Sequence, residues 1–512
     1  MKQEEFFIQN ELDEKYIYKL ISEMERKYIA EILKNGDEAW PLTKISIFRV
    51  LSNNSSKYIS KKQLIPKIFV KFVKAYHKYK RLIIQNICAI NYEYDKEIYK
   101  SKNIFFSRSL YLDRLKSGKS FDRIVDPFYL TSSANVSSIK FYLDNLFLSE
   151  DLYCKGLKYK KHILHKLIPG ILNSENIKLE KECIYFLELF LKQNNLGKLN
   201  KIIYFDIKKS INKYLNAKNT AKKFFKKFRN LKKIFVSAWY FSDSMGLIAA
   251  ANEMQIETID IQHGKQGKYQ AAYSGWSAIP EKGFLNVPNY FWCWGEKSVN
   301  NILNNSIIRN NHAPLLIGYP WPIWYSTYIS KNKDFKESTR IRLLFTMQKK
   351  KGDILKEPLE DGLINIIKKY NDTYKNGFTN EFHLRVRLHP SNLEDSYEYL
   401  KKRLGALYNS RIISFSSKRD VCLFDDLNWA NYHLTCFSSC ALESLTFNLK
   451  TAVYGNLAYE IYSEEIQNNA LIYLKNCNFN ELTDFLKPDV KRFKSYSTKY
   501  ICNKFPDPNL FK

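Results

Sequence analysis

The sequence lacks the features of a membrane-spanning or secreted protein. No apolar run reaches the roughly 18 residues that a transmembrane helix needs, and the acidic start Met1–Glu5 is unlike the basic beginning of a secretory signal. Its nine cysteines include no Cys-x-x-Cys pair, which disfavours a zinc site. We therefore expect a cytoplasmic protein whose cysteines are reduced and structural.

Several catalytic motifs are also missing. The chain has no GxGxxG, no P-loop and no GxSxG, so hydride transfer, nucleoside triphosphate hydrolysis and serine hydrolysis lose most of their support. No Asp-x-Asp-like pair follows a predicted strand in the arrangement that holds a metal-bound nucleotide. We therefore expect chemistry that needs neither a metal nor a cofactor.

The formal net charge of +29 is the most unusual property of the composition. Lysine is scattered among Asn, Ile and Tyr, as coding in an A/T-rich genome produces, and no nucleic-acid-binding signature is present, so we expect no specific nucleic acid partner. Basic residues are concentrated at Lys155–Lys166 and, interleaved with phenylalanine, at Lys222–Arg229. Such segments predict either a peripheral contact with the inner face of the cytoplasmic membrane or solvated basic helices.

Short apolar runs alternate with helical spacing along the last two thirds of the chain. We predict strands over residues 233–238, 257–261, 290–294, 314–317, 341–345, 382–388, 412–413, 431–437 and 451–454, and helices over 180–193, 242–254, 354–370, 396–404 and 441–447. This order predicts an α/β protein with two doubly wound, Rossmann-like domains facing a cleft. We place them at residues 171–330 and 331–485, after a mainly helical region of unknown role at 1–170 and before a tail at 486–512.

Two polar signatures follow predicted strands of the second domain. Arg387, His389 and Pro390 end one strand, and Ser438 and Ser439 follow another at the start of a helix that carries Glu443 on its first turn. Ligands bind at strand ends in open α/β sheets, and a helix N-terminus with two hydroxyls suits a phosphate.

The simpler interpretation of these residues is structural. Ser438 and Ser439 would then cap a helix, Glu443 would complete the cap, and His389 would be a turn residue. Because both signatures occur in consecutive units of one predicted sheet, we favour a nucleotide-phosphate pocket in which Glu443 accepts hydrogen bonds from ribose or sugar hydroxyls.

A third polar motif ends a strand of the first domain. Gln262, His263 and Gly264 are followed by Lys265 and Lys268. A neutral imidazole in a cleft can take a proton from a sugar hydroxyl, and the two lysines can neutralise a phosphate on the donor or acceptor. The alternative is a turn whose histidine packs against a nearby tyrosine.

Two carboxylates compete with His263 for the role of general base. Asp243 opens the helix that precedes the motif, although an Asp at a helix start is more often a cap. Asp260 lies inside the strand and ranks lower.

Taken in order, the motifs resemble those of a known family. The segments 262–264, 291–296 and 387–390, and the Ser438–Ser439 pair with Glu443, resemble bacterial GT-B glycosyltransferases of capsule and lipopolysaccharide synthesis, especially those that use CMP-activated Kdo or sialic acids. CDP-glycerol glycerophosphotransferases of teichoic acid synthesis have a similar layout. The resemblance covers residues from about 232 to 457 and implies a GT-B-like fold.

The resemblance also implies a function. A nucleotide-sugar, with a CMP-sugar favoured, would be the donor, and a surface polysaccharide or lipid-linked glycan would be the acceptor. Arg387, His389, Pro390, Ser438, Ser439 and Glu443 would hold the donor, while His263 or Asp243 would deprotonate the acceptor hydroxyl. The alternatives are a CDP-polyol phosphotransferase and an inactive GT-B scaffold in polysaccharide assembly.

Overall fold

The chain forms two α/β domains, each built on a sheet of parallel strands. The computed structural model describes residues 14–54, 95–144, 152–158, 174–194, 196, 199–305, 311–328, 340–348, 350–351, 354–355, 361–375, 382–389, 393–417, 420–487, 497–502 and 504–512. Two doubly wound domains in a GT-B-like arrangement were predicted, and this fold class is confirmed.

The first domain contains a sheet of seven described strands. These are β1 (Asn103–Ser107), β4 (Ser138–Tyr142), β5 (Leu157–Lys158), β6 (Lys233–Ser237), β7 (Glu257–Ile261), β8 (Tyr290–Cys293) and β9 (Ala313–Leu316). The order is β5-β4-β1-β6-β7-β8-β9, and every pair is parallel. A short antiparallel ribbon of β2 (Leu112–Arg114) and β3 (Ser120–Asp122) follows β1. All carboxyl ends of the large sheet therefore lie along one edge.

Helices cover the sheet of the first domain. They are α1 (Glu14–Lys27), α2 (Ile29–Asn35), α3 (Ala39–Asn54), α4 (Asp126–Ser133), α5 (Ser174–Gln193), α6 (Leu199–Phe225), α7 (Ser242–Glu253), α8 (Glu296–Asn305) and α9 (Trp321–Tyr328). The closest packing is between α6 and α7, where a Cβ on Gly246 would lie 2.4 Å from the Tyr214 carbonyl oxygen. Only glycine permits this approach.

The domain boundary predicted at residue 170 is wrong. The strands β1, β4 and β5 belong to the same sheet as β6, because β1 pairs directly with β6 in parallel register. All five residues of β1 are buried. Because both faces of the strand are covered, its sequence lacks the alternation of apolar and polar residues by which a strand is recognised. The described residues before 170 therefore supply three strands to the sheet of the first α/β domain and do not form a separate helical extension.

The second domain contains a sheet of six described strands in the order β14-β13-β10-β15-β16-β17. The strands are β10 (Ile341–Thr346), β13 (Phe382–Arg387), β14 (Ile413–Ser416), β15 (Tyr432–Thr435), β16 (Lys450–Tyr454) and β17 (Ile472–Leu474), all parallel. Its helices are α10 (Asp361–Lys375), α11 (Leu393–Leu404), α12 (Leu423–Trp429), α13 (Cys440–Leu445), α14 (Asn456–Ile461), α15 (Ser463–Gln467) and α16 (Phe479–Phe485). Sheet membership changes between β9 and β10, on either side of the boundary predicted near residue 330.

The single helix predicted over residues 354–370 is also wrong. Strand β12 (Ile354–Leu355) pairs antiparallel with β11 (Lys350–Lys351), and the helix begins only at Asp361. Pro358 stands between the two elements in the sequence, and a proline ends the helical pattern on its N-terminal side.

The C-terminal segment returns to the first domain. Helix α17 (Ser497–Tyr500) leads to Cys502, whose N–H donates to the Trp294 carbonyl and whose carbonyl accepts from Tyr319 N–H at 2.8 Å. The ring of Phe511 lies against those of Phe105, Phe235 and Trp292, and its carbonyl accepts from the Asn103 side chain at 2.8 Å. Where it is described, the predicted tail at 486–512 is thus packed, with Leu486 and Tyr500 in the core of the second domain and Phe511 against the first.

The basic segment Lys222–Arg229 ends helix α6 and leads toward β6. Its phenylalanines Phe224, Phe225 and Phe228 are buried in the first hydrophobic core, so they cannot also face a lipid surface. This placement favours the solvated basic helix over the membrane contact for this segment. The segment Lys155–Lys166 lies mostly outside the described residues. None of the described helices is long and apolar enough to cross a membrane.

The contacts of Phe511 predict that the C-terminal segment stabilises the first domain. Phe511→Ala should lower the free energy of unfolding by about 3 to 5 kcal/mol, the usual effect of truncating a buried phenylalanine. The matched control is Phe505→Ala in the same segment, because Phe505 is 43% exposed and its loss should change stability by less than about 0.5 kcal/mol. Urea unfolding measures both, and equal effects of the two substitutions would contradict a packed C-terminus.

Candidate functional site

The loop that follows β7 is fixed by Gln262. The side-chain carbonyl of this buried residue accepts from Trp294 N–H at 2.6 Å, and its amide donates to the Gly264 carbonyl at 2.8 Å and to Ser298 at 3.1 Å. A Cβ on Gly264 would meet no atom within 4 Å, so the loop backbone faces open space there. Gln262 therefore positions the loop, while Gly264 leaves room beside it.

His263 lies at the carboxyl edge of the first sheet among tyrosines. Its Nε2 lies 3.0 Å from the Tyr240 hydroxyl, and its ring is 5.4 Å from that of Tyr111. Burial, together with the positive charges of Arg108 and Arg123, lowers the pKa of His263 to about 4. The imidazole is therefore neutral at pH 7, and a negative charge placed near the two arginines would raise its pKa.

Asp243 is bound to an arginine from another strand end. Its Oδ1 accepts from Arg108 at 2.6 Å and from Ser244 N–H at 3.0 Å. The N-cap position of α7 belongs to Phe241, and Asp243 is the second residue of the helix. The Arg108 guanidinium also lies 4.3 Å above the ring of Phe241. Asp243 is therefore an ion-pair partner of Arg108 in the first turn of α7 and not its cap residue.

Arg387 is buried at the end of β13 and is held by its own domain. It donates to Asp426 at 2.6 Å and to the Val421 carbonyl at 3.0 Å. Across the domain junction, the Arg387 guanidinium lies 3.8 Å from the carboxylate of Asp113, which belongs to β2 of the first domain. His389 follows two residues later and is partly buried, and Pro390 lies outside the described residues.

The two serines after β15 have different roles. Ser438 Oγ accepts from Cys440 N–H at 3.3 Å, and its carbonyl accepts from the Tyr462 hydroxyl at 2.6 Å. Ser439 occupies the N-cap position of α13 but makes no side-chain capping bond. The predicted Ser-Ser cap is therefore made by Ser438, and α13 ends at Leu445, earlier than predicted.

Glu443 is fully buried where the two domains meet. Its Oε1 accepts from Arg123 at 2.9 Å and from the Tyr319 hydroxyl at 3.1 Å, both of the first domain, while Oε2 is buried without a partner among the described residues. Arg123 also lies 3.9 Å from Asp113. Glu443 is therefore a cross-domain ion-pair partner whose second oxygen is buried without a partner among the described residues.

The two lysines of the predicted acceptor loop differ in their surroundings. Lys265 donates to the Ile461 carbonyl of the second domain at 3.2 Å and lies 4.6 Å above the Tyr462 ring. Lys268 is exposed and faces helix α1 across a cavity. One lysine thus bridges the domains, and the other is placed to meet a ligand from solvent.

The structure brings four of the predicted residues to one junction. His263, Asp243, Arg387 and Glu443 are linked through side chains that the sequence analysis missed, namely Arg108, Asp113, Arg123, Tyr240 and Tyr319. Arg108 directly follows the buried strand β1. A polar residue after an apolar run also marked the strand end that carries His263. No local sequence pattern indicates that Arg123 and Tyr319 bind Glu443 of the second domain.

Asp260 is buried in β7, beneath the loop that carries His263. Its carboxylate accepts from Trp239 N–H at 3.1 Å and from the Tyr273 hydroxyl at 2.9 Å. Burial raises the pKa of Asp260 to about 8, so at neutral pH the group is mostly a neutral acid. Within the described residues no cluster of His, Cys, Asp and Glu is arranged to hold a metal, and metal independence stays a prediction.

Comparison with known proteins yields structural likeness only. Neither a protein-family model nor a curated protein sequence matches this chain. Among solved structures, S. aureus MnaA with UDP is 11% identical with a TM-score of 0.44, covering 80% of this chain and 94% of its own. A UDP-GlcNAc 2-epimerase of Methanocaldococcus jannaschii with UDP-GlcNAc and UDP is 12% identical (TM-score 0.41, 78% and 97% covered), and the glycotransferase of kitacinnamycin is 9% identical (0.39, 75% and 90%). At these scores the likenesses carry no conclusion about activity.

The raised pKa of Asp260 predicts a pH-dependent stability. Between about pH 4 and pH 8 the folded state holds a proton that the unfolded state has lost, so the free energy of unfolding should fall as the pH rises, by at most about 1.4 kcal/mol per pH unit from this group. Asp260→Asn should remove this contribution. Urea unfolding from pH 5 to pH 9 measures the difference between variant and parent, with Glu97→Gln, whose side chain is 69% exposed, as the control. Parallel curves for Asp260→Asn and the parent would show that Asp260 is ionised in the folded state.

Proposed function

We propose that the protein is a nucleotide-sugar-dependent glycosyltransferase that extends a surface polysaccharide or lipid-linked glycan, with a CMP-sugar as the favoured donor. The observation that carries this proposal is the meeting of Arg108, Arg123 and Arg387 with His263 at the strand ends of two facing domains. Strand ends are where open α/β sheets bind ligands, and guanidinium groups suit the phosphates of a nucleotide.

The second domain supplies the proposed donor contacts. The Ser439 hydroxyl makes no capping hydrogen bond to helix α13. In the proposed complex, a donor phosphate would accept a hydrogen bond from this hydroxyl. The free oxygen of Glu443 would accept from a ribose or sugar hydroxyl. Arg387 and His389 border the same edge of the sheet, where a positive charge would stabilise the departing nucleotide phosphate.

The first domain supplies the proposed base. His263 is neutral in this environment and can accept a proton, but an imidazole with a pKa of about 4 is a weak base at pH 7. A donor phosphate beside Arg108 and Arg123 would offset the charges that lower this pKa. Donor binding would therefore strengthen His263 as a base at the moment when the acceptor hydroxyl has to be deprotonated.

An inactive scaffold is the second candidate, and a specific observation favours it. Arg108, Arg123 and Arg387 are each paired with a protein carboxylate, namely Asp243, Glu443 and Asp426. A cleft whose cations are already neutralised attracts a nucleotide less strongly than one with open cations. The CDP-polyol phosphotransferase alternative uses the same phosphate contacts, so only the choice of donor separates it from the glycosyltransferase.

Nucleotide binding tests the donor site. In thermal-shift measurements with CMP, CDP, UDP, GDP and their sugar conjugates, we expect one nucleotide to stabilise the protein, because ligand binding favours the folded state. Ser439→Ala should weaken this stabilisation, whereas Ser133→Ala, a change at an exposed helical serine, should leave it intact. Stabilisation by CMP or a CMP-sugar supports the favoured donor, and stabilisation by CDP-glycerol alone supports the phosphotransferase. No response to any nucleotide would leave the scaffold as the better explanation.

Turnover tests the base. With the donor identified by the thermal shift, His263→Ala should lower kcat by about 10²- to 10⁴-fold, the usual effect of losing a general base. Because the pKa of His263 is lowered to about 4, kcat/KM should stay flat from pH 5 to pH 8 and fall only as His263 becomes protonated near pH 4. Asp243→Asn is the comparison variant. A nearly normal rate for His263→Ala together with a large loss for Asp243→Asn would transfer the role to Asp243.

A further inference from the structure

A cavity of about 460 Å³ lies between helix α1 and the loop that carries His263. It is lined by Lys15, Tyr16, Tyr18, Lys19, Ser22, Arg26, Lys268, Tyr269, Gly275 and Ser277. The volume suits a ligand of about the size of a small saccharide. The N-terminal helix, to which the sequence analysis assigned no role, thus forms one wall of a site whose other wall belongs to the predicted acceptor loop.

The lining combines positive charge with tyrosine. Four cationic side chains, those of Lys15, Lys19, Arg26 and Lys268, are exposed at the cavity, while the Ser22 side chain is buried at its floor. None of the lining residues is acidic. The neighbouring carboxylate of Glu23 lies 3.8 Å from Lys19. The cavity therefore favours an anionic ligand.

The carboxylate closest to the floor is neutralised by the protein itself. Glu25 is fully buried and accepts from Lys44 at 2.9 Å, from the Trp40 indole at 2.6 Å and from Ser277 N–H at 3.0 Å. The Lys44 ammonium also donates to the Gly275 carbonyl at 2.7 Å. The same contacts tie α1 and α3 to the loop over residues 274–277, so the walls of the cavity are held before any ligand arrives.

Close packing fixes the aromatic side of the cavity. Gly275 has a φ of +72°, and a Cβ there would lie 2.7 Å from the Tyr18 ring. Tyr18 in turn meets Tyr269 edge to face, with ring centroids 5.6 Å apart. The Ser274 hydroxyl donates to the Lys268 carbonyl, which fixes the backbone that presents Lys268. Two tyrosine rings and the Lys268 ammonium, which lies 5.9 Å from the centre of the Tyr269 ring, are thus held on one side of the cavity.

We propose that this cavity binds the anionic part of the acceptor, a saccharide that carries a phosphate or a carboxylate. Ammonium and guanidinium groups would bind the anion, and the tyrosine rings would pack against the apolar face of the sugar. That the bound saccharide is the acceptor rests on the proposed function, in which His263, on the same loop as Lys268, is the base.

Direct binding tests the cavity without requiring turnover. Isothermal titration calorimetry of the full chain measures its affinities for glucose 6-phosphate, glucuronate, inorganic phosphate and neutral glucose. We expect the two anionic sugars to bind and glucose to bind much more weakly. The double variant Arg26→Gln/Lys268→Gln should lose about tenfold in affinity or more for the anionic sugars, because it removes two charged hydrogen-bond donors to the anion. The double variant Lys96→Gln/Lys181→Gln, at exposed lysines of the same domain, should bind like the parent.

The outcomes separate this inference from the proposed function. Equal affinities in parent and Arg26→Gln/Lys268→Gln would overturn the site, and inorganic phosphate binding as tightly as glucose 6-phosphate would overturn the saccharide assignment. A thermal shift with a nucleotide but no binding of either anionic sugar would overturn this inference alone. Binding of the anionic sugars that the double variant loses, without a response to any nucleotide, would support the site and count against the transferase.

Discussion

The charge of Glu443 is the constraint on which the arrangement of the two domains depends. Glu443 is fully buried on the second domain, and its compensating partners, Arg123 and Tyr319, both come from the first. An ionised carboxylate left alone in such a place would cost several kcal/mol. Separation of the domains at this point would therefore have to hydrate Glu443, and the Glu443–Arg123 pair holds the two domains together there.

Aromatic packing supports the same junction. The ring of Phe424, on α12 of the second domain, stacks near that of Trp321 at 5.4 Å and meets those of Tyr319 and Tyr325, all from the segment that leaves the first sheet. The Tyr325 hydroxyl also donates to Asp425 at 2.6 Å. Because such a contact buries large apolar areas, it holds the two domains together at this junction.

The sequence predicted the strand ends well and the partners between domains poorly. His263 and Ser438 were placed correctly after strands, and Arg387 at the end of one, because each marks the point where an apolar run stops. The strand before Arg108 was missed, since full burial on both faces removes the alternation that marks a strand. Pairs such as Arg123 with Glu443 join residues 320 positions apart, and no local pattern in a single sequence carries that information.

The hydrogen bonding of the Glu443 carboxylate limits which ligand groups fit beside it. One oxygen is used by Arg123 and Tyr319, and the other is buried with no partner among the described residues. An acceptor oxygen in that position is satisfied by a donor, so a hydroxyl fits where a phosphate, which offers only acceptors at neutral pH, would be repelled. A ligand that places a hydroxyl on Glu443 would leave the Arg123 pair intact. The cross-domain ion pair would then not need to break for a nucleotide-sugar to bind.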